Sequence, residues 1–413
     1  MSSSRDHFDA FEHHTLPKHG ILSAYLMRWA SIHLRREGGG GRHSRVCFVD
    51  GFAGAGKDKD GRPGSPLVAA LVAADIRNAS PERGLVQGSR MCVGVVESNG
   101  PRFQSMYATL ADAVAAAPDD WVLHRGTFGD HVDELREWVG SDPTLWFLDP
   151  FGIKGLHASW YADLLGGPKN EIFVLAAHVG SVRLTGVVQS ETDDIERRIG
   201  AIAAAPSLFA GEDAIRQAQL AQARADIRRQ LDINDPAART ILVDALGSPD
   251  CIEELAAVAI ERRPEMYLQL FCNALRRAGA TVQLTIPIRD VGGRPMHVLI
   301  HASKHVAAMT AMKRSVTEGL ARQDLDATMR ELLKLELQAP VSPLIEMLCR
   351  TRAGQTIDWS SRKRTRRPLV VQIMEDTAAF GFQMPELKRE LRARGLMDRD
   401  GRIEVVRFPE LPA

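Results

Sequence analysis

The sequence lacks three features that would restrict its function: an excess of charge of one sign, a long apolar run and a cluster of cysteines. Lysine plus arginine and aspartate plus glutamate number 52 each among 413 residues, so the overall charge does not indicate nucleic acid or an anionic membrane as a partner. No apolar run is long enough to cross a bilayer, and the start MSSSRDHFDAFEHH contains no apolar signal segment. These absences predict that the chain is neither membrane-inserted nor secreted.

Cysteine is scarce and scattered. The five cysteines are never spaced as CxxC: Cys47, Cys92, Cys251, Cys272 and Cys349. Two of them lie inside apolar strand-like runs, where a small buried side chain is their expected role. The pattern predicts a reducing, cytoplasmic environment without disulfides, and neither a zinc site nor any other metal site is expected.

The sequence does contain a regular alternation of apolar strands and amphipathic helices, which is typical of a doubly wound, mainly parallel α/β sheet covered on both faces. A first helix in PKHGILSAYLMRWASIHLRR ends at the break EGGGGRHS. The predicted strands that follow cover 46–49, 91–96, 121–124, 145–148 and 172–176. The predicted helices between them cover 65–77, 101–117, 130–139 and 157–165. A late hairpin, 281–288 and 296–302, is expected to close the sheet edge as an antiparallel pair.

The predicted elements divide the chain into five regions. Residues 1–44 form a helical segment that packs on the core, 45–190 form the α/β core, and 280–335 supply the closing hairpin and a helix. An alanine-rich helical insertion occupies 191–279. Residues 336–413 contain helices followed by a small hairpin, which indicates a winged-helix-like C-terminal domain.

A glycine-rich loop, GFAGAGKD at 51–58, follows the first predicted strand and has three interpretations. A phosphate-binding P-loop needs Ser or Thr after Lys57 and a helix beginning there, but Asp58 and a run of helix breakers follow. A dinucleotide-binding fingerprint needs glycine where Lys59 stands. The third interpretation, which we favour, places Asp50 at the end of the strand and uses the glycine turn to bring backbone close to a ligand.

Acidic residues also follow two further strands. Glu97 ends MCVGVVE, where a carboxylate can accept hydrogen bonds from both ribose hydroxyls, and Asp149 begins the tetrapeptide DPFG after the fourth strand. Because the carboxyl ends of parallel strands meet at one edge, Glu97, Asp149 and Asp50 are expected to line one crevice. The combination is typical of S-adenosylmethionine-dependent methyltransferases. DPFG resembles the (D/N)PP(Y/F) tetrapeptide of amino-group methyltransferases, with Phe151 in place of the second proline.

The order of KHGIL, VDGFAGAG, GRPGSPLVA, LDPFGIKGL and MHVLIHASKHVAAMTAMK resembles the three-Cys-motif partner protein family, TcmP. The resemblance covers residues 17–314, and PGSP and DPFG are its most specific motifs. It implies a Rossmann-like fold of the class I methyltransferase type. It also implies a partnership with a three-Cys-motif protein, a radical-type iron–sulfur enzyme that would supply the cysteine cluster this chain lacks.

The methyltransferase resemblance implies a set of site residues. The acidic side chain and a backbone carbonyl of the tetrapeptide hold the substrate nitrogen while an aromatic ring stacks on the target, roles that fall to Asp149, Pro150 and Phe151. The expected S-adenosylmethionine-binding residues are Asp50, Gly51, Phe52, Ala53, Gly54, Gly56, Glu97, Thr127 and Phe128. Asp130 and His131 either contact an adenine edge or, for Asp130, cap a helix.

Further residues are weaker candidates for substrate or partner contacts. Lys18 and His19 either reach over the cofactor site or are capping or solvated groups near a helix start. His178 and Arg183 follow the fifth strand, where a substrate pocket would lie, and ordinary packing is the alternative. A basic run in the C-terminal segment either binds a nucleic-acid backbone or is a solvated linker: Arg362, Lys363, Arg364, Arg366 and Arg367.

The sequence leaves three functions open, of which the third is nucleic-acid modification through the basic run of the C-terminal segment. The first is a methyltransferase that modifies a nucleophile of a macromolecular substrate, and the acidic residues at three strand ends favour it. The second is a non-catalytic adaptor that keeps the fold and binds the three-Cys-motif protein, with or without nucleic acid. The broken double proline of DPFG favours the adaptor.

Overall fold

A computed structural model describes twelve parts of the chain: residues 15–35, 43–79, 84–150, 153–176, 236–259, 262–289, 295–321, 345, 348–349, 352–359, 384–400 and 403–409. Some of the predicted site residues lie outside these parts: Phe151, His178, Arg183, Arg362, Lys363, Arg364, Arg366 and Arg367. Among the described residues, no helix is both long and apolar enough to cross a membrane.

A seven-stranded sheet forms the centre of the protein. Its strands are β1 (Arg45–Asp50), β2 (Arg90–Glu97), β3 (Trp121–Arg125), β4 (Thr144–Leu148), β5 (Glu171–Ala176), β6 (Val282–Arg289) and β7 (Pro295–Ser303). Their spatial order is β3-β2-β1-β4-β5-β7-β6. Strands β1 to β5 are parallel, and β7 runs antiparallel to both of its neighbours. The mainly parallel sheet and its late antiparallel pair confirm the predictions.

Helices connect the strands and flank the sheet. Those described are α1 (Thr15–Leu34), α2 (Ser65–Ala79), α3 (Gly100–Ala116), α4 (Phe128–Val139), α5 (Ala158–Leu164), α6 (Pro236–Leu246), α7 (Asp250–Ala256), α8 (Arg263–Arg277), α9 (Val306–Ala321) and α10 (Met384–Ala393). Helix α2 begins at Ser65, as predicted. Pro66 is favourable in the first turn, because proline has no N–H that would be left without a partner there.

Both faces of the sheet are covered by helices. Successive side chains of a strand point to opposite faces, and β1 shows this alternation. Val46 and Phe48 belong to one apolar cluster with residues of α1, α2 and α9, whereas Cys47 and Val49 belong to another with α4, α5 and α8. The sheet is therefore doubly wound, and its central strands are continuous apolar runs for this reason.

The C-terminal part of the chain contributes a second, smaller sheet. Strands β8 (Thr356–Asp358), β9 (Met397–Asp400) and β10 (Ile403–Arg407) pair antiparallel in the order β8-β10-β9. Leu387 and Leu391 of α10 are buried in the same apolar cluster as residues of the main core. This part of the chain therefore shares one apolar cluster with α1, α2 and α9.

Candidate functional site

The strand order of the sheet defines one edge where a ligand is expected. From β1 the chain proceeds outward through β2 to β3, and from β4 it proceeds in the opposite direction to β5. In open α/β sheets, ligands bind outside the carboxyl ends of the strands at such a reversal point. Asp50 is the last residue of β1, and Asp149 directly follows β4. The two carboxylates therefore lie on either side of the reversal point, as their positions in the sequence predict.

Asp50 is fully buried at this edge. Its Oδ1 accepts a hydrogen bond from the N–H of Phe52, a half-buried residue, at 3.1 Å. Its Oδ2 has no hydrogen-bond partner within the described residues. Burial raises the pKa of Asp50 to about 7, and Asp149 adds to the rise, whereas hydrogen bonding of the carboxylate by the Ser65 hydroxyl and by the Phe52 N–H, together with Lys18, opposes it. One buried carboxylate oxygen is thus available to a ligand, on a group that titrates near neutral pH.

Asp149 forms an ion pair with Lys18 of α1. Their side chains are 14% and 12% exposed, so water screens the pair less than it screens a surface salt bridge. The neighbouring His19 is also buried, and its pKa is lowered well below the ordinary value by burial and by Lys18, with the Pro63 backbone opposing. Lys18 and His19 therefore lie at the reversal-point edge and not in solvent.

Glu97, at the end of β2, is buried beside this edge. Its Oε2 accepts a hydrogen bond from the N–H of Gly54 at 2.8 Å, and its Oε1 accepts one from the N–H of Asn99 at 2.6 Å. A carboxylate has about four acceptor positions, so each oxygen retains capacity for a second donor. Glu97 therefore holds the glycine loop against β2 and still has acceptor capacity for a ligand hydroxyl.

Backbone hydrogen bonds order the glycine loop. The N–H of Ala53 donates to the Val96 carbonyl at 2.9 Å, and the N–H of Gly64 donates to the Gly56 carbonyl at 2.8 Å. Gly54 and Gly56 have φ angles of 70° and 84°, in the left-handed region that favours glycine. Gly54 and Gly56 are therefore required by the backbone conformation of the loop.

The end of the loop excludes the P-loop interpretation. Lys57 and Pro63 form an antiparallel bridge, and the Asp58 carboxylate accepts a hydrogen bond from the N–H of Arg62 at 2.7 Å. The segment between Lys57 and Pro63 is thus a small closed turn, and the next helix begins only at Ser65. A phosphate-binding loop would need a helix N-terminus at Lys57.

Two of the predicted cofactor residues have structural roles at the start of α4. Thr127 forms a capping box with Asp130, whose Oδ2 accepts from the Thr127 hydroxyl at 2.6 Å and from its N–H at 2.9 Å. Phe128 is buried and packs edge-to-face on Trp160, with ring centroids 5.3 Å apart. A Cβ atom on Gly51 would lie 2.9 Å from the Phe128 ring, so the glycine permits a close approach. Phe128 therefore supports the loop from within the core.

Sequence reasoning missed the pairing of Lys18 with Asp149, since the two residues are 131 positions apart. The only signal was that both flank predicted elements. In the sequence, Ser65 was predicted only as the start of a helix. Its hydroxyl also hydrogen-bonds to the Asp50 carboxylate and so affects the pKa of Asp50. Pro150 is buried next to Asp149, and its role toward a substrate stays a prediction.

Comparisons with known proteins add little to this description. No protein-family model matches this chain, and no curated protein matches it. Among solved structures, a conserved hypothetical protein of Streptococcus pyogenes is 17% identical, with 34% of this chain and 71% of that chain covered and a TM-score of 0.23. A similarity at this level does not indicate a fold or a function for this chain.

Proposed function

We propose that this protein is an S-adenosylmethionine-dependent methyltransferase of Rossmann-like fold that modifies a nucleophile of a macromolecular substrate. The observation that carries the proposal is the position of Asp50, Glu97 and Asp149 at the carboxyl ends of adjacent strands around the reversal point. A parallel sheet closed by a late antiparallel pair also agrees with the class I methyltransferase-like sheet that the resemblance to the TcmP family implies.

The residues present fit this cofactor. The buried Oδ2 of Asp50 lacks a partner among the described residues and would accept a hydrogen bond from the amino group of the methionine end. Glu97 would accept from the ribose hydroxyls. Gly51 and Gly54 allow the backbone between these two carboxylates to approach the ligand. When bound, S-adenosylmethionine supplies a methyl group that its sulfonium has already activated.

The contribution of the chain to such a reaction is mainly alignment, because the leaving group is already present in the cofactor. Asp149 would orient the substrate nucleophile, and Lys18 would have to release Asp149 or share it with the substrate. Asp50, with its pKa raised to about 7, is able to accept a proton at neutral pH.

A second candidate, the non-catalytic adaptor, is favoured by one observation. The Lys18 ammonium already satisfies the carboxylate that a substrate nitrogen would need. In this alternative the fold serves to bind a three-Cys-motif protein, and the carboxylates at the strand ends bind no ligand. The partnership with this radical-type iron–sulfur protein belongs to both candidates and rests on the family resemblance.

The C-terminal region is the proposed place for contacts with a macromolecule. Helix α10 followed by the paired strands β9 and β10, with β8 alongside, supports the winged-helix-like interpretation. Winged helices bind either nucleic acid or protein. The basic run at 362–367 would add phosphate contacts, which weaken steeply as salt concentration rises.

Calorimetric titration of the full chain with S-adenosylmethionine and S-adenosylhomocysteine tests the proposal. We expect a dissociation constant of about 1–100 μM for the wild type and weaker binding by Glu97→Gln, which removes the charge but keeps the shape. Glu137→Gln, an exposed glutamate on α4, is the matched control. Absence of binding by the folded wild-type protein would reject the methyltransferase and leave the adaptor. Equal binding by Glu97→Gln would reject the role of Glu97.

A further inference from the structure

Two histidines and a glutamate converge at the end of β3 and the first turns of α4. His124 is on β3, and His131 and Glu134 are on α4. One nitrogen of each imidazole and one carboxylate oxygen all lie within 4.8 Å of one another. Glu134 Oε2 is 3.5 Å from His131 Nδ1 and 3.7 Å from His124 Nε2. The three side chains have no role in the function proposed above.

Local structure explains why these side chains meet. The capping box fixes the start of α4 directly after β3, and residues three apart on a helix lie on one face, so His131 and Glu134 lie side by side. A Cβ atom on Gly126 would lie 2.6 Å from His131 Nε2, so the glycine makes room for the ring. The rings of His131 and His124 stack with centroids 4.3 Å apart and planes 15° apart.

The electrostatics of the cluster suit a bound cation. His124 Nε2 is buried and has no hydrogen-bond partner within the described residues, although the Glu134 carboxylate lies nearby. The neutral imidazole is the form that binds metals, because its unprotonated nitrogen carries an in-plane lone pair.

We propose that His124, His131 and Glu134 form a binding site for a divalent transition metal of the zinc class. Zinc binds imidazole nitrogen and carboxylate oxygen at about 2.0–2.2 Å, so tetrahedral ligand atoms are roughly 3.3–3.6 Å apart. The two distances to Glu134 Oε2, 3.5 and 3.7 Å, are close to this spacing. Mg²⁺ and Ca²⁺ are not expected, since they prefer all-oxygen sites.

Coordination requires one local movement. The in-plane lone pairs of two parallel rings do not converge on a single point, so one ring must tilt out of the stack. His131 is 22% exposed and Glu134 is 63% exposed, which leaves both side chains room to turn toward His124. Three protein ligands leave a fourth position for water or another ligand.

The site has a structural connection to the neighbouring strand. The N–H of Gly126, two residues after His124, donates to the Glu97 carbonyl at 3.2 Å. A metal that joins β3 to α4 would therefore stabilise the turn of Gly126 and Thr127 beside Glu97. The proposal does not depend on methyl transfer.

Calorimetric titration of the full chain with ZnCl₂, after dialysis against a chelator, tests the proposal. We expect the wild type to bind one zinc ion at this site. His131→Ala and Glu134→Gln should each bind zinc at least about tenfold more weakly, because the loss of even an outer-shell partner typically weakens metal affinity by about tenfold or more. Both side chains are partly exposed, so the variants should fold, which circular dichroism checks. Glu137 is exposed and lies three residues after Glu134 on α4, so it is the matched control. The variant Glu137→Gln should bind zinc as the wild type does.

Replacement of zinc by Co²⁺ gives a second readout. Visible absorption bands of tetrahedral cobalt without a thiolate charge-transfer band are expected for two imidazoles and a carboxylate. A thiolate band would assign the metal to cysteine and overturn the proposal. Zinc binding only at millimolar concentration, or binding that His131→Ala and Glu134→Gln leave unchanged, would overturn it as well.

Discussion

Two buried carboxylates lie at opposite edges of the same sheet and differ in how their oxygens are satisfied. Glu171 begins β5, and its Oε2 accepts a hydrogen bond from the Tyr25 hydroxyl and lies 2.8 Å from His301 Nε2. Asp50 ends β1, and its Oδ2 has no partner among the residues described. Buried polar groups are nearly always hydrogen-bonded, so an unpaired one needs an explanation. The comparison indicates a structural role for Glu171 and a ligand-binding role for Asp50.

The paired carboxylate connects three elements of the core. Tyr25 is on α1, Glu171 on β5 and His301 on β7, and all three side chains are almost fully buried. Burial and Glu171 raise the pKa of Tyr25 well above its ordinary value, so the hydroxyl stays protonated and remains a donor. This network joins the first helix and the late antiparallel pair to the parallel strands.

The largest expected effect is on stability, from Glu171→Ala. Removal of one partner from a buried polar network leaves the others unsatisfied, and we expect the free energy of unfolding to fall by about 3–5 kcal/mol. Urea denaturation measures the loss, and Glu253→Ala, an exposed glutamate on α7, is the matched control. If Glu171→Ala loses no more stability than the control variant, Glu171 does not have the structural role inferred here.

The next effect is the pH dependence of stability at Asp50. Its folded pKa of about 7 lies above the ordinary 3.8, so between these values the folded state binds more protons than the unfolded state. The wild type should therefore lose stability as pH rises from about 4 to about 7, by roughly 4 kcal/mol, whereas Asp50→Asn should lack this slope. Parallel curves for the two proteins in urea denaturation would contradict the raised pKa.

A smaller effect is expected on ligand affinity. Asp50→Asn keeps the shape of the side chain but removes the charge that would pair with a cofactor amino group. We expect S-adenosylmethionine to bind about 10–100-fold more weakly, the equivalent of roughly 1.5–3 kcal/mol for a hydrogen bond to a charged group. Calorimetry measures the change, and Asp244→Asn on α6 serves as the control. If the affinity of Asp50→Asn is unchanged, S-adenosylmethionine does not bind to the Asp50 carboxylate.

The smallest effect concerns the packing beneath the glycine loop. Gly51→Ala places a methyl group 2.9 Å from the Phe128 ring, and we expect overpacking to cost about 1–3 kcal/mol. Phe128→Leu should relieve part of this cost in the double variant, so the two changes should not be additive. Thermal unfolding of the two single variants and the double variant measures the coupling. Strictly additive losses would show that the ring does not restrict Gly51.

The strands were the most predictable part of the fold. Each strand of the large sheet begins and ends within one residue of its predicted bounds. The reason is that β1, β4 and β5 are buried on both faces and must be continuous apolar runs, which a sequence displays directly. The acidic strand ends were predictable for the same reason, because parallel strands place their carboxyl ends at one edge.

The candidate site was less predictable. Phe128 is buried and packs edge-to-face on Trp160, a packing role that the sequence did not indicate, and its predicted contact with a cofactor stays a prediction. Asp130 had two interpretations, and the capping box is the one observed. At Asp130 the sequence specifies a residue type that is compatible with two environments, and the local backbone at the start of α4 selects the capping box.

The sequence by itself determined the alternation of strands and helices and the placement of Asp50, Glu97 and Asp149 along one edge. It also excluded a P-loop, because Asp58 stands where that loop needs Ser or Thr. These features depend on neighbours in the chain and on strand direction. Only the tertiary structure decided that Lys18 pairs with Asp149 and that His124 meets His131 and Glu134. Such contacts depend on the distance between packed elements, which residue spacing along the chain does not specify.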